Sequence, residues 1–186
     1  RSMSTVLLGQ RRMGKTEIFK RVVNRLFFEQ DSPEDIHASV VPVYFKFEDT
    51  VSDPRSFATD FLENFIRWYT GFRLRRPDVA AKKSVSSEEL EGFVQSRMKI
   101  TPAFQEALDL YRVIRTDENF NLPAKKALQL PRTVSDWEDS TVVMFLDEFQ
   151  NTRLPQYGFD VVGYMQDAVE SPTCPHFVTG SAMSIL

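Results

Sequence analysis

Cysteine occurs once in the 186 residues, at Cys174, and histidine twice, at His37 and His176. A single thiol excludes an internal disulfide framework and fits a reducing cytosol. With only two histidines beside it, a closed zinc site of Cys and His ligands is excluded as well. No apolar run approaches the roughly 20 residues that span a bilayer, so no transmembrane helix is expected. The N-terminus lacks the basic, apolar and small-residue succession of a secretory signal. Neither sign of charge dominates: 23 Lys and Arg against 26 Asp and Glu leave a net charge of −3. That removes any global electrostatic case for nucleic acid and leaves only local patches to consider. What is present is an ordinary globular composition, 42% hydrophobic and 26% charged, with length for one domain and a sizeable core. The chain starts at Arg1 and not at methionine; the expectation is a fragment of a longer, cytoplasmic protein.

Short apolar runs alternate with helical periodicities. Residues 4–8 (STVLL) end at Gly9 and read as a buried strand. Ile18, Phe19, Val22, Val23, Leu26 and Phe27 form two adjacent apolar rows, predicting a helix over 14–28 that packs on a sheet. A polar loop over 30–39 leads to a second strand over 40–47 (VVPVYFKF). Asp53-Pro54 opens a helix lined by Phe57, Phe61, Phe65 and Trp68, with Gly71 as its stop. That stripe keeps helical spacing and is assigned to the core. Ser86 and Glu89 form a capping box, Thr101-Pro102 opens another helix, and Pro123 and Pro131 punctuate the stretch between that helix and the next apolar run. Residues 141–146 (TVVMFL) read as a central parallel strand, 154–169 as a helix weakened by Gly158 and Gly163, and 176–179 (HFVT) as a last strand. Strands alternating with helices predict an α/β fold with an open parallel sheet.

Gly9 to Thr16 (GQRRMGKT) is a complete G-x-x-x-x-G-K-[ST] phosphate loop, or Walker A motif, lying between an apolar strand and an amphipathic helix. Glycines let the backbone turn its N–H groups inward around phosphates, and the helix dipole adds positive potential there. Gly9, Gln10, Arg11, Arg12, Met13, Gly14, Lys15, Thr16 and Glu17 are the candidate nucleotide-binding segment. Lys15 would reach the β- and γ-phosphates, and the Thr16 hydroxyl would ligate Mg²⁺. Asp147 and Glu148 end an apolar run, as in a Walker B strand. Asp147 would hold the Mg²⁺ shell and Glu148 would orient or deprotonate the attacking water, which favours hydrolysis over transfer to a metabolite. Ser181, with Thr179 as second choice, sits where a hydroxyl at a strand end meets the γ-phosphate or the water. No Asn-Lys-x-Asp guanine-reading motif occurs, which argues against a Ras-like GTPase.

The segments GQRRMGKT, VVMFLDEFQN and FVTGSAMS together resemble the archaeal-type ATPase family. That family belongs to the STAND branch of the ASCE P-loop ATPases, close to AAA+ proteins. Arg11, Arg12, Gly14, Lys15 and Thr16 match its G-x-R-R-x-G-K-T loop, Asp147 to Gln150 its D-E-[FA]-Q, and Thr179 to Ser181 its [TS]-G-S. VYFKFED looks like its second strand, and the resemblance covers about half the chain by position. It implies ATP or ADP, Mg²⁺, and a P-loop three-layer α/β/α sandwich of strand order 5-1-4-3-2. About 130 residues separate Lys15 from Asp147, more than one strand and normal crossovers need. Residues from about 72 to 140 are therefore expected to be a helical insertion or an enlarged crossover. The family's upstream segment, fifth strand, helical lid and downstream domains are expected outside this chain.

The leading expectation is thus an ATPase core spanning 1–186. The alternative is a nucleotide-gated switch or scaffold with little intrinsic hydrolysis, with a protein partner or a second copy of the chain to act on. Arg73, Arg75 and Arg76, with Lys82, Lys83, Tyr69 and Phe72 nearby, form the one local basic cluster. It is a candidate for DNA phosphates but more ordinarily a solvated face or a partner contact.

Overall fold

A computed structural model describes residues 4–9, 13–30, 39–51, 53–138 and 140–181. Its elements run β1 (Thr5–Gly9), α1 (Lys15–Phe28), β2 (Val40–Lys46), α2 (Pro54–Arg73), α3 (Pro77–Ala80), α4 (Leu90–Arg97), α5 (Pro102–Thr116) and α6 (Pro123–Trp137). After these come β3 (Thr141–Asp147), a short 3-10 helix (Phe149–Arg153), α7 (Val161–Val169) and β4 (His176–Ser181). The four strands form one open, all-parallel sheet in the order β1-β4-β3-β2. The molecule is therefore α/β with helices on both faces of a parallel sheet.

Strand alternation divides the core. Val142, Met144 and Leu146 of β3 face the side carrying α2 and α6, together with Val41, Val43 and Phe47. Val143 and Phe145 face the opposite side and meet Phe19 and Val23 of α1. A strand buried on both faces is what the unbroken run TVVMFL requires. Of the two apolar rows on α1, Phe19, Val23 and Phe27 are buried, whereas Ile18 and Val22 are exposed among the described residues. The second row reaches the sheet side only at Leu26.

The connection from β2 to β3 holds five helices, α2 to α6. Phe57, Phe61 and Phe65 are buried as expected, and Trp68 packs edge-on against Phe27. The expected capping-box bonds form, with the Ser86 and Glu89 backbone N–H groups each donating to the other's side chain, but in the turn before α4, whose own N-cap Glu89 has no side-chain cap bond. Thr101 accepts from the Phe104 N–H at the head of α5.

Three boundaries differ from expectation. Gly71 lies inside α2, which ends two residues later in a Schellman turn: Arg76 N–H donates to Gly71 O at 2.7 Å and Arg75 N–H to Phe72 O at 3.2 Å. Arg75, at φ 55°, takes the left-handed position usually given to glycine. Pro123 and Pro131 do not break the chain but belong to α6, at its first turn and in its interior. There Ala124, Ala127, Leu128, Pro131 and Val134 are buried, and packing outweighs the local cost of proline. The last helix starts at Val161 and not near 154, capped by Asp160, which accepts from the Gly163 N–H at 2.9 Å. No helix among the described residues is long and apolar enough to cross a membrane.

Candidate functional site

Gly9 ends β1, its Cα paired with that of Ser181 at the end of β4. Gln10, Arg11 and Arg12 lie outside the described residues. Gly14 has φ 76° and ψ 13°, a left-handed conformation that a side chain disfavours, and from it α1 starts at Lys15 with no side-chain cap. Lys15 reaches back across the loop and donates from Nζ to Gly9 O at 2.8 Å. Both ends of the glycine-bounded turn are thus tied by the lysine it carries.

Asp147 stands at the carboxyl end of β3, almost fully buried (1% exposed). Its Oδ2 accepts from Thr16 Oγ1 and from the Tyr44 hydroxyl, each at 2.8 Å. Its Oδ1 accepts from Thr179 Oγ1 and from the Glu148 N–H, the latter at 3.0 Å. Burial pushes the carboxyl upward, but the hydrogen bonds from Thr179, Thr16 and Tyr44 outweigh it and hold Asp147 below its ordinary value. Burial first, then the bond to Asp147 and its charge, pushes the Tyr44 phenol far above its usual range. The group is an ionised carboxylate with four donors around it.

Glu148 turns out of the strand at φ 54° and ψ 37°, the left-handed region, which is unusual for a non-glycine residue. Its N–H also reaches Thr179 Oγ1 at 3.3 Å. Its carboxylate Oε2 accepts from Gln150 Nε2, and Gln150 Oε1 accepts from the Ser181 N–H at 3.2 Å. A cleft of about 540 Å³ lies at this end of the sheet, walled by residues 13–17 on one side and by Glu148, Gln150 and 179–181 on the other.

The tertiary structure therefore gathers Gly9, Met13, Gly14, Lys15, Thr16, Glu17, Asp147, Glu148 and Ser181 at the carboxyl ends of the strands, with Asp147 buried and not in the cleft wall. Of the two hydroxyl candidates, Thr179 bonds Asp147 directly, while Ser181 contributes its backbone N–H to Gln150. Neither Tyr44 nor the role of Gln150 is legible in the sequence. Tyr44 carries no motif signal, because its proximity to Asp147 depends on the β2–β3 register, in which Lys46 faces Asp147. The Thr16 hydroxyl and Asp147 carboxylate are hard oxygen donors, the type Mg²⁺ takes. Among the described residues no group of three or more His, Cys, Asp or Glu is placed to hold a metal unaided.

Arg73 and Arg75 of the basic cluster are used within the fold, while Arg76, Lys82 and Lys83 are exposed. Arg75 donates to Phe27 O and Gln30 O at the end of α1, with its guanidinium 5.7 Å from the centre of the Phe72 ring. Arg76 pairs with Asp78, Arg73 donates to Ser39 Oγ, and Lys82 lies 3.7 Å from Glu63.

Comparison of the chain with protein-family models, with curated proteins and with solved structures returns no match.

Proposed function

We propose that this chain is the ATP-binding, Mg²⁺-dependent ATP-hydrolysing core of a P-loop ATPase of the STAND or AAA+-like type. The observation that carries the reading is the 2.8 Å hydrogen bond from Thr16 to Asp147, residues 131 positions apart. Two motifs that chemistry pairs in one site are in contact, although no local pattern links them. The strand order β1-β4-β3-β2 agrees with the order 5-1-4-3-2 implied for strands 1 to 4 of such a core.

On this reading the first turn of α1, whose N-cap residue Gly14 has no side chain to cap it, receives phosphate oxygens at its N–H groups. Lys15 exchanges Gly9 O for the β- and γ-phosphates. Thr16 and Asp147 would hold Mg²⁺, which would supply charge neutralisation at the phosphates. Glu148 takes a proton from water as the water oxygen bonds to the γ-phosphorus and the bond to the bridging oxygen breaks, leaving ADP and phosphate. Lys15→Ala is expected to weaken binding of a fluorescent ATP analogue at least tenfold; unchanged affinity would remove the basis of the reading.

A second reading, the nucleotide-gated switch, is favoured by one observation. Lys15 is the one cation among the described residues that wall the cleft, so from these residues a single positive charge meets a transition state. Steady-state turnover decides: fast hydrolysis by this chain alone supports the ATPase, whereas tight binding with negligible turnover supports the switch.

A further inference from the structure

Gln150 uses both ends of its side-chain amide. It is 7% exposed and sits in the 3-10 turn that leaves β3. Its Nε2 donates to Glu148 Oε2, and its Oε1 accepts from the N–H of Ser181 at the end of β4. The turn makes this reach possible. The left-handed backbone of Glu148 starts the 3-10 helix, so the carboxylate and the amide two residues on meet over one side of the cleft.

We propose that Gln150 is a positioning residue that holds the Glu148 carboxylate in line with the end of β4. The inference rests on the reading of Glu148 as the base that activates water. A glutamate has three rotatable side-chain bonds, and a base must present one oxygen to one water within hydrogen-bond reach. Fixing Oε2 through the amide leaves Oε1 as the proton acceptor and removes most of that rotational freedom. The other end of the same amide is anchored on Ser181, in the segment facing Lys15 and Thr16 across the cleft. One side chain thus ties the base to the strand end against which the γ-phosphate would lie. Packing alone explains neither half, because an apolar side chain of similar size fills the space without a donor aimed at Glu148.

Two variants separate the two ends. Gln150→Glu is isosteric and keeps an acceptor for the Ser181 N–H, but loses the donor and puts a second carboxylate against Glu148. Gln150→Ala removes both ends. The 186-residue chain is used for ATP binding, single-turnover hydrolysis and, without nucleotide, amide hydrogen exchange at Ser181. Both variants are expected to lose about tenfold or more in hydrolysis rate with the dissociation constant for ATP held within about twofold. Ser181 exchange should accelerate by a similar factor in Gln150→Ala and stay near wild type in Gln150→Glu. Wild-type hydrolysis in Gln150→Glu overturns the proposal, as does unchanged Ser181 exchange in a folded Gln150→Ala. If Gln150→Ala fails to fold, the Gln150→Glu rate decides. A wild-type chain that neither binds nor turns over ATP overturns the ATPase reading and the role of Gln150 with it. A wild-type chain that binds and hydrolyses ATP while the variants match it overturns Gln150 alone.

Discussion

Tyr44 on β2 and Asp147 on β3 share a 2.8 Å hydrogen bond from the phenol to Oδ2. The partner strand thus braces the acid that receives Thr16. The bond is a consequence of register, since Lys46 is level with Asp147 and Tyr44 stands two residues back on the same face of β2.

Removal of that hydroxyl tests the brace. Tyr44→Phe keeps the ring beside Trp68 and takes one donor from a buried carboxylate. Hydrogen bonds to charged groups contribute about 1.5–3 kcal/mol, and a loss of that size is expected in urea unfolding. An unchanged midpoint would mean that Asp147 is held well enough by its other donors.

Two glycines in the β2–β3 connection should respond in opposite directions. A Cβ on Gly71 would lie 2.8 Å from Arg76 O and 3.1 Å from Ala80 N, both backbone atoms. Gly71→Ala is therefore expected to cost about 1–3 kcal/mol through overpacking. Gly92 in α4 has nothing within 4 Å of that position, and Gly92→Ala should stabilise by about 0.5–1 kcal/mol through helix propensity. Equal effects in thermal unfolding would contradict the close approach at Gly71.

Arg75 is expected to act on stability and not on polyanion binding. Both Arg75→Ala and Arg75→Gly lose the bonds to Phe27 O and Gln30 O. Arg75→Gly relieves the left-handed backbone at φ 55° and should remain about 1 kcal/mol more stable than Arg75→Ala. A folded Arg75→Ala chain that loses salt-dependent DNA binding held by wild type would restore the nucleic-acid reading of the cluster.

Acid should destabilise the fold through His176 before it reaches Asp147. His176 is buried at the start of β4, and burial lowers its pKa to about 4, against a smaller raising effect of its bond with Cys174 O. The unfolded chain binds the extra proton below about pH 6.5 and the folded chain only below about 4. Stability therefore falls as pH drops through that window, by up to about 3 kcal/mol. Asp147, held below the ordinary carboxylate value, gives up its contribution only at lower pH. Unfolding free energies from pH 7 to 4 should be flatter in His176→Gln; parallel curves would assign the loss elsewhere.

Much of this architecture is legible without coordinates. β1, β3 and β4 are short apolar runs closing on glycine or acid, and Asp53 and Thr101 mark helix starts through hydrogen bonds that reach only two or three residues. Such signals are local, and the structure honours them. Gly71, Pro131 and the start of α7 are different, because each local preference is overridden by something distant: the chain at 76–80 folding back on Gly71, the burial of α6, and the side-chain staples of the segment before α7. Those staples are Asn151 to Phe47 O and Tyr157 to Glu48 O, each at 2.9 Å.

Composition and motif spacing by themselves determined the chemical vocabulary: a glycine-bounded loop with Lys15 and Thr16, an acidic pair at Asp147 and Glu148, and hydroxyls at Thr179 and Ser181. Which atoms meet was decided only by the tertiary structure. The parallel register places Tyr44 and Thr179 on Asp147, and the left-handed turn at Glu148 brings Gln150 between the acid and Ser181. The reason is physical. A hydrogen bond depends on distances below about 3.2 Å, and across 131 positions no local pattern of side chains sets a distance; sheet order and strand register do.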